Sequence, residues 1–205
     1  MGILEFFNEG QVYEVLLITR SNVAPVGVVR AGRVLSFRLF GGRSAGELGE
    51  YPYASIQITN DAELLVKLAL NFETHLEFGG DGRYRWIRGL PGVYGEVKSR
   101  EKEYVDEIGK TKILECSLEP KGFIEGNLPP RPLSRADFHL IEMAVHLTRL
   151  LPAVEGGKEE VVERLYDEVI SNYRMYKRFG GRSKVADRMV KMAKAGLGES
   201  PKNVR

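Results

Sequence analysis

From residue 12 to residue 59 the apolar positions come in short β-branched runs separated by turn residues. Val12 to Thr19 is apolar and too short for a helix, and the run breaks at Arg20-Ser21-Asn22. Val23 to Arg30 is a second strand, and Pro25 within it has no N–H for a ladder, which predicts an edge or a bulge at that point. Ala31-Gly32 reads as a tight turn. Arg33 to Phe40 follows as a third strand, with Leu35, Phe37 and Leu39 on one face and Val34, Ser36, Arg38 and Phe40 on the other. Ala54 to Thr59 is a fourth. Asp61 then caps a helix from Ala62 to Leu70 with Leu64, Leu65, Leu68 and Ala69 in one stripe. Three more strands are expected over 83–88, 93–100 and 112–118, with Gly79, Gly80, Gly82, Gly89 and Gly92 marking turns. Many short strands and a single short helix point to a closed or partly closed barrel.

The period changes after Gly126-Asn127-Leu128-Pro129-Pro130-Arg131-Pro132, a stiff extended linker. Ser134 with Asp137 resembles a capping box. The helix that follows has apolar residues on two sides, Phe138, Ile141 and Val145 on one and Leu140, Ala144, Leu147 and Leu151 on the other. It should therefore be well buried, and Pro152 should end it. A second helix is expected from about Lys158 to Phe179, stopped by Gly180-Gly181, and a third from Ser183 to Ala195, before a polar tail from Gly198. The fold class is thus α+β: a β-barrel over 1–125 and a module of about three helices over 126–205.

Charge and composition exclude more than they assign. Of 205 residues, 30 are basic and 28 acidic, so no global bias points to nucleic acid or to an anionic surface. The C-terminal run Arg174, Lys177, Arg178, Arg182, Lys184, Arg188, Lys191 and Lys194 is locally basic; a solvated helical face accounts for it, and nucleic acid is not expected. A lone cysteine, Cys116, rules out an intrachain disulfide and a cysteine-based zinc site, which fits a cytoplasmic protein. No apolar run approaches the ~20 residues of a membrane span.

Two segments carry candidate chemistry. Thr19 to Gly27 sets small polar residues beside a strand whose ladder Pro25 interrupts; exposed main-chain donors and acceptors there suit the edge of a planar heteroaromatic, and an ordinary edge turn explains the same residues. Phe40 to Gly49 holds the parts of a phosphate cradle in a glycine-rich loop: Gly42 for close approach, Arg43 as a donor fork and Ser44 as a hydroxyl. A second Gly-Gly-Arg-Ser at 180–183 is a rival anion site, although glycine ending one helix and serine capping the next explains it as well. His139, Glu142, His146 and Arg149 share a helix face, but a hydrogen-bonding stripe accounts for them better than a metal. His75 reads as a surface residue. No metal ligand set and no catalytic side chain is assigned.

Together these segments resemble the flavin-reductase-like FMN-binding split barrels: a strand ending in Thr, then Ser-Asn-x-Ala-Pro-x-Gly, a strand leading to a Gly-x-Ser/Thr loop, and a strand ending in Asn-Asp. More narrowly, the chain is similar to an archaeal family of uncharacterised FMN-binding split-barrel proteins with a C-terminal helical part, whose Ile-Glu-x-x-Val-His-x-Thr-Arg-Leu stretch reads here Ile141 to Leu150. The resemblance implies FMN as cofactor, with Thr19, Ser21, Asn22, Val23, Ala24 and Pro25 along the isoalloxazine. It implies Gly42, Arg43, Ser44 and Leu48 around the phosphate, with Arg38 nearby. It also implies a homodimer with each flavin near the subunit interface. The family pattern has Asn where this chain has Glu47, and a carboxylate repels a phosphate. Two functions stay open: flavin-dependent redox chemistry, for which a nicotinamide is a candidate donor, and a non-catalytic flavin or phosphate-ligand module whose helices bind a partner.

Overall fold

The computed structural model describes residues 3–128, 131–132 and 134–198. Pro129, Pro130 and the tail from residue 199 lie outside them. The chain is α+β, and it divides into two compact units, one of residues 1–60, 74–104 and 110–130, the other of 61–73, 105–109 and 131–205.

In the first unit a 3-10 turn, Ile3–Phe6, leads into β1 (Val12–Ile18), β2 (Val23–Ala31) and β3 (Val34–Leu39). Next come α1 (Gly42–Glu50) and β4 (Tyr53–Gln57). The helix α2 (Ala62–Ala69) belongs to the other unit. The first unit resumes with β5 (Phe78–Gly80), β6 (Arg85–Ile87), β7 (Gly92–Val105) and β8 (Lys110–Ile124). Six strands close a barrel in the order β1-β2-β3-β8-β7-β4, and β5-β6 is a separate two-stranded sheet. The alternation expected in β3 holds: Leu35, Phe37 and Leu39 are buried in a core shared with Leu17, Val28 and Ile56, while Arg38 faces outward. The strands expected over 93–100 and 112–118 run longer. Beyond the barrel the polar stretches of β7 and β8 carry opposed charges, with Lys110 paired to Glu103 at 2.7 Å and Lys102 to Glu115 at 3.1 Å.

Pro25 sits where its missing N–H costs least. β2 pairs with β1 along Val23 to Val29, but with β3 only from Val28 to Ala31. Residues 23–27 are therefore an edge within a closed barrel.

The expected glycine loop over 41–49 is a helix. Its glycines disfavour that conformation by roughly 1 kcal/mol each. Burial of Leu48 and Ser44 against the barrel supplies the compensation that local propensity lacks.

The second unit packs α2 with α3 (Arg135–Glu155), α4 (Glu159–Arg178) and α5 (Lys184–Gly196). Its core joins Val66 and Phe72 to Met143, Leu147, Leu165 and Met189. Asp61 caps α2 and Ser134 caps α3, as their positions in the sequence suggest. Pro152 does not end α3. It stands one turn from the end, the Gly156 N–H still closes on its carbonyl at 2.9 Å, and Leu150 and Ala153 beside it are fully buried. Their burial outweighs the lost main-chain bond. The expected second apolar face of α3 is partly in solvent, with Phe138 54% and Val145 39% exposed. Among the described residues no helix is long and apolar enough to cross a membrane.

Candidate functional site

The β1–β2 turn and the start of α1 meet at one end of the barrel. The turn closes through the Thr19 N–H, which donates to the Asn22 carbonyl at 3.0 Å. Gly41 and Gly42 precede and open α1 with φ of 79° and 78°, a left-handed pair that side-chain-bearing residues rarely adopt, and nothing lies within 4 Å of where a Cβ would stand on either. No side chain caps α1, so its first N–H groups are left for water or a ligand.

Five sequence-predicted residues converge here. Asn22 Nδ2 donates to Ser44 Oγ at 2.9 Å, tying the turn to the one buried residue in the first turn of the helix. Arg43 Nη2 donates to Ser21 Oγ at 2.8 Å. Thr19 and Ser21 meet through Glu47, the residue that departs from the family pattern. Its carboxylate accepts from Thr19 Oγ1 at 2.6 Å, the Ser21 N–H at 2.9 Å, the Ser21 hydroxyl, and Arg43 Nε at 3.1 Å. Burial by itself would raise the Glu47 pKa. The Ser21 and Thr19 hydroxyls, the Ser21 amide and Arg43 outweigh it and hold the value at about 2. The carboxylate thus already engages the donors that an incoming anion would use.

Val23, Ala24 and Pro25 are half-buried on the part of β2 that β3 does not reach. Leu48 is 2% exposed and belongs to the barrel core, so it anchors α1 rather than meeting solvent. Arg38 stands apart from the cluster: it faces Glu115 across the β3–β8 pair at 3.8 Å, on the outside of the barrel.

Sequence reasoning missed Arg85. β6 is clamped to β4 by buried polar side chains: Ser55 Oγ donates to the Arg85 carbonyl at 2.7 Å, and Gln57, with no exposed surface, bonds the Ile87 N–H at 2.6 Å and the Ile87 carbonyl at 2.9 Å. The signal in the sequence is slight: Arg85 stands between Tyr84 and Trp86, and two further arginines, Arg83 and Arg88, flank the same run.

The other candidates resolve into structural parts. Gly180, with φ 83°, follows the end of α4, and Ser183 caps α5 through the Val185 N–H at 3.1 Å. The histidine stripe of α3 is divided among separate partners. His139 Nδ1 meets Asn172 Oδ1 at 2.8 Å, His146 Nε2 lies 3.7 Å from Glu142, and Arg149 bonds Glu107 at 2.7 Å. Within the basic C-terminal run, Lys177 pairs with Asp187 at 2.9 Å. Cys116 is buried, which pushes its thiol up to about 12 and leaves it inert as a nucleophile. His75 is exposed, as expected.

The fold and this cluster define a class: a closed antiparallel barrel with a donor-rich end, joined in one chain to a helical unit. Residues 13–125 match the model of a family described as protein of unknown function (DUF447), N-terminal domain. The chain belongs to the DUF447 family. It is 26% identical over 176 residues to the uncharacterized protein MJ1453 of Methanocaldococcus jannaschii, a match covering 83% of this chain and 91% of that protein. Among solved structures it is similar to the FMN-bound DUF447 protein MM1853 from Methanosarcina mazei, with a TM-score of 0.65 at 22% identity over 95% of this chain and all of that one. A looser likeness, with a TM-score of 0.39 at 13% identity, links 58% of this chain to 91% of the styrene monooxygenase flavin reductase of Pseudomonas putida.

Proposed function

We propose that this chain binds FMN at the end of the barrel where β1–β2 meets α1. The observation that carries the reading is the pairing of two surfaces in one place. An uncapped helix start with Gly42, Arg43 and Ser44 suits a phosphate. Beside it, linked by the Asn22–Ser44 hydrogen bond, lies the β2 edge from Val23 to Pro25, which suits a flat ring. A relative of the same architecture, MM1853, is FMN-bound, which supports the choice of ligand. Glycines that fingerprint a dinucleotide site follow no strand here, so FMN is favoured over FAD.

FMN, when bound, supplies hydride and electron chemistry; the chain's part is to hold and orient it. Thr19, Ser21 and Arg43 organise the phosphate end, Asn22 sets the distance between turn and helix, and no side chain is needed as acid or base. We read the working unit as a homodimer, which light scattering at micromolar concentration checks. The defining test is the absorption spectrum of the purified protein with mass identification of the heat-released ligand. FMN is the expected result. FAD, or no flavin after incubation with FMN, overturns the reading.

A further inference from the structure

Arg85 is the guanidinium near this cluster whose bonding is incomplete. Its main chain is fixed by the Ser55 hydroxyl at 2.7 Å, and its Cζ lies 3.5 Å from the centroid of the Phe78 ring, so the planar head is held on one face. Its Nη1 is buried and meets no acceptor among the described residues. Buried polar atoms are nearly always hydrogen-bonded, so this nitrogen invites an acceptor from outside the chain. Ser55, which holds the Arg85 carbonyl, stands opposite Ile18 in the β1–β4 pair, and the next residue, Thr19, bonds Glu47, so the strand pairing brings Arg85 to the cradle. Burial lowers its pKa, and the charges of Glu47 and Arg43 act on it in opposite senses.

Charge balance within the cradle gives the orphan a role. Arg43 is committed to Glu47 at 3.1 Å, and the two charges cancel. A phosphomonoester carries about −1.5 to −2 charges near neutrality and three acceptor oxygens. It needs a cation that is not already neutralised, and a guanidinium is well matched to it.

We infer that Arg85 is a phosphate-binding residue of this barrel, its buried unpartnered guanidinium nitrogen completed by an oxygen of a phosphomonoester. That the phosphomonoester is FMN rests on the function proposed above; the anion site itself does not.

Titrations of FMN, riboflavin and inorganic phosphate on wild type, Arg85→Met and Arg85→Lys test it. Arg85→Met keeps the stem on Phe78 and removes charge and donors. It should weaken FMN roughly ten- to hundredfold, the loss expected for a charge-assisted bond, and leave riboflavin within about twofold, a change too small to involve that bond. Arg85→Lys, which keeps the charge but not the fork, should show a smaller loss confined to FMN, and it carries the test if the Met variant does not fold. Equal weakening of FMN and riboflavin, or no weakening of FMN, overturns the assignment. If wild type binds no flavin, the FMN reading fails and inorganic phosphate decides for Arg85. A phosphate-dependent rise in Tm that Arg85→Met or Arg85→Lys reduces keeps the anion site, and a rise indifferent to both, or none, removes it.

Discussion

Replacing Glu47 by Gln should pull stability and ligand preference in opposite directions. The carboxylate takes four hydrogen bonds, from Thr19 Oγ1, the Ser21 N–H and hydroxyl, and Arg43 Nε. Its side chain is 15% exposed, while that of Arg43 is 65% exposed. The Arg43 pair therefore contributes little, about 0.2–1 kcal/mol. The Thr19 and Ser21 bonds are charge-assisted, and becoming neutral weakens each by roughly half, about 1 kcal/mol apiece. With three such bonds, one from Thr19 and two from Ser21, a loss of about 3 kcal/mol follows, which for a chain of this size lowers Tm by roughly 6–12 °C. The pH dependence has a definite sign. The Glu47 pKa falls from 4.5 to about 2 on folding, so its contribution is complete above pH 4.5 and disappears as the pH drops toward 2. The gap between wild type and E47Q should close across that window. Toward FMN the same change helps, because a carboxylate close to a phosphate repels it by on the order of 1–2 kcal/mol at a partly solvated site. Calorimetric or fluorescence titration should find FMN tightened about five- to thirtyfold relative to riboflavin. If FMN weakens as much as riboflavin or more, Glu47 serves to order the donors, and the view of it as a resident competitor is wrong.

Three further outcomes are expected. Gln57→Leu should cost about 3–5 kcal/mol by orphaning the Ile87 N–H and the carbonyls of Ile87 and Leu90; hydrogen exchange should show Ile87 losing protection, and an unchanged Tm would contradict this. Arg43→Ala should weaken FMN more than riboflavin, whereas Arg182→Ala, in the other Gly-Gly-Arg-Ser, should be neutral in the same titration; the reverse result would move the site. Anaerobic mixing of FMN-loaded protein with NADH or NADPH should bleach the flavin slowly, because an edge site with no dinucleotide fingerprint orients a second cofactor poorly; fast saturable bleaching would reveal a nicotinamide site.

What the sequence makes legible is periodic. The first three strands follow from short β-branched apolar runs between turn residues, the core face of β3 from its alternation, and the caps of α2 and α3 from Asp61 and Ser134. α1 is hidden because Gly42, Gly46 and Gly49 speak against a helix, and only the barrel surface receiving Leu48 reverses that preference. Pro152 misleads for the same reason, since burial on either side of it is a tertiary fact. At the site, the family resemblance brings Thr19, Ser21, Asn22, Arg43 and Ser44 together. Two features escape it. Glu47 reads as a repulsive departure, whereas in space it bonds the donors of the cradle. Arg85 enters through a hairpin held by buried Ser55 and Gln57, a long-range arrangement with no local signature.

The threading of the chain between its two units has a consequence for biosynthesis. α2 precedes the last two barrel strands, β7 and β8, in sequence, yet Val66 and Phe72 are buried with residues of α3 to α5. About 65 residues separate the end of α2 from the start of α3, and at ~5–20 residues per second the ribosome takes roughly 3–13 s to make them. Before that interval ends the apolar stripe of α2 has left the exit tunnel, and its partners in α3 to α5 do not yet exist. Nascent chains stalled shortly before residue 135 should therefore be held by chaperones. A fragment cut at 13–125, the span of the family match, would carry the same orphaned stripe permanently and should aggregate rather than yield a free-standing barrel.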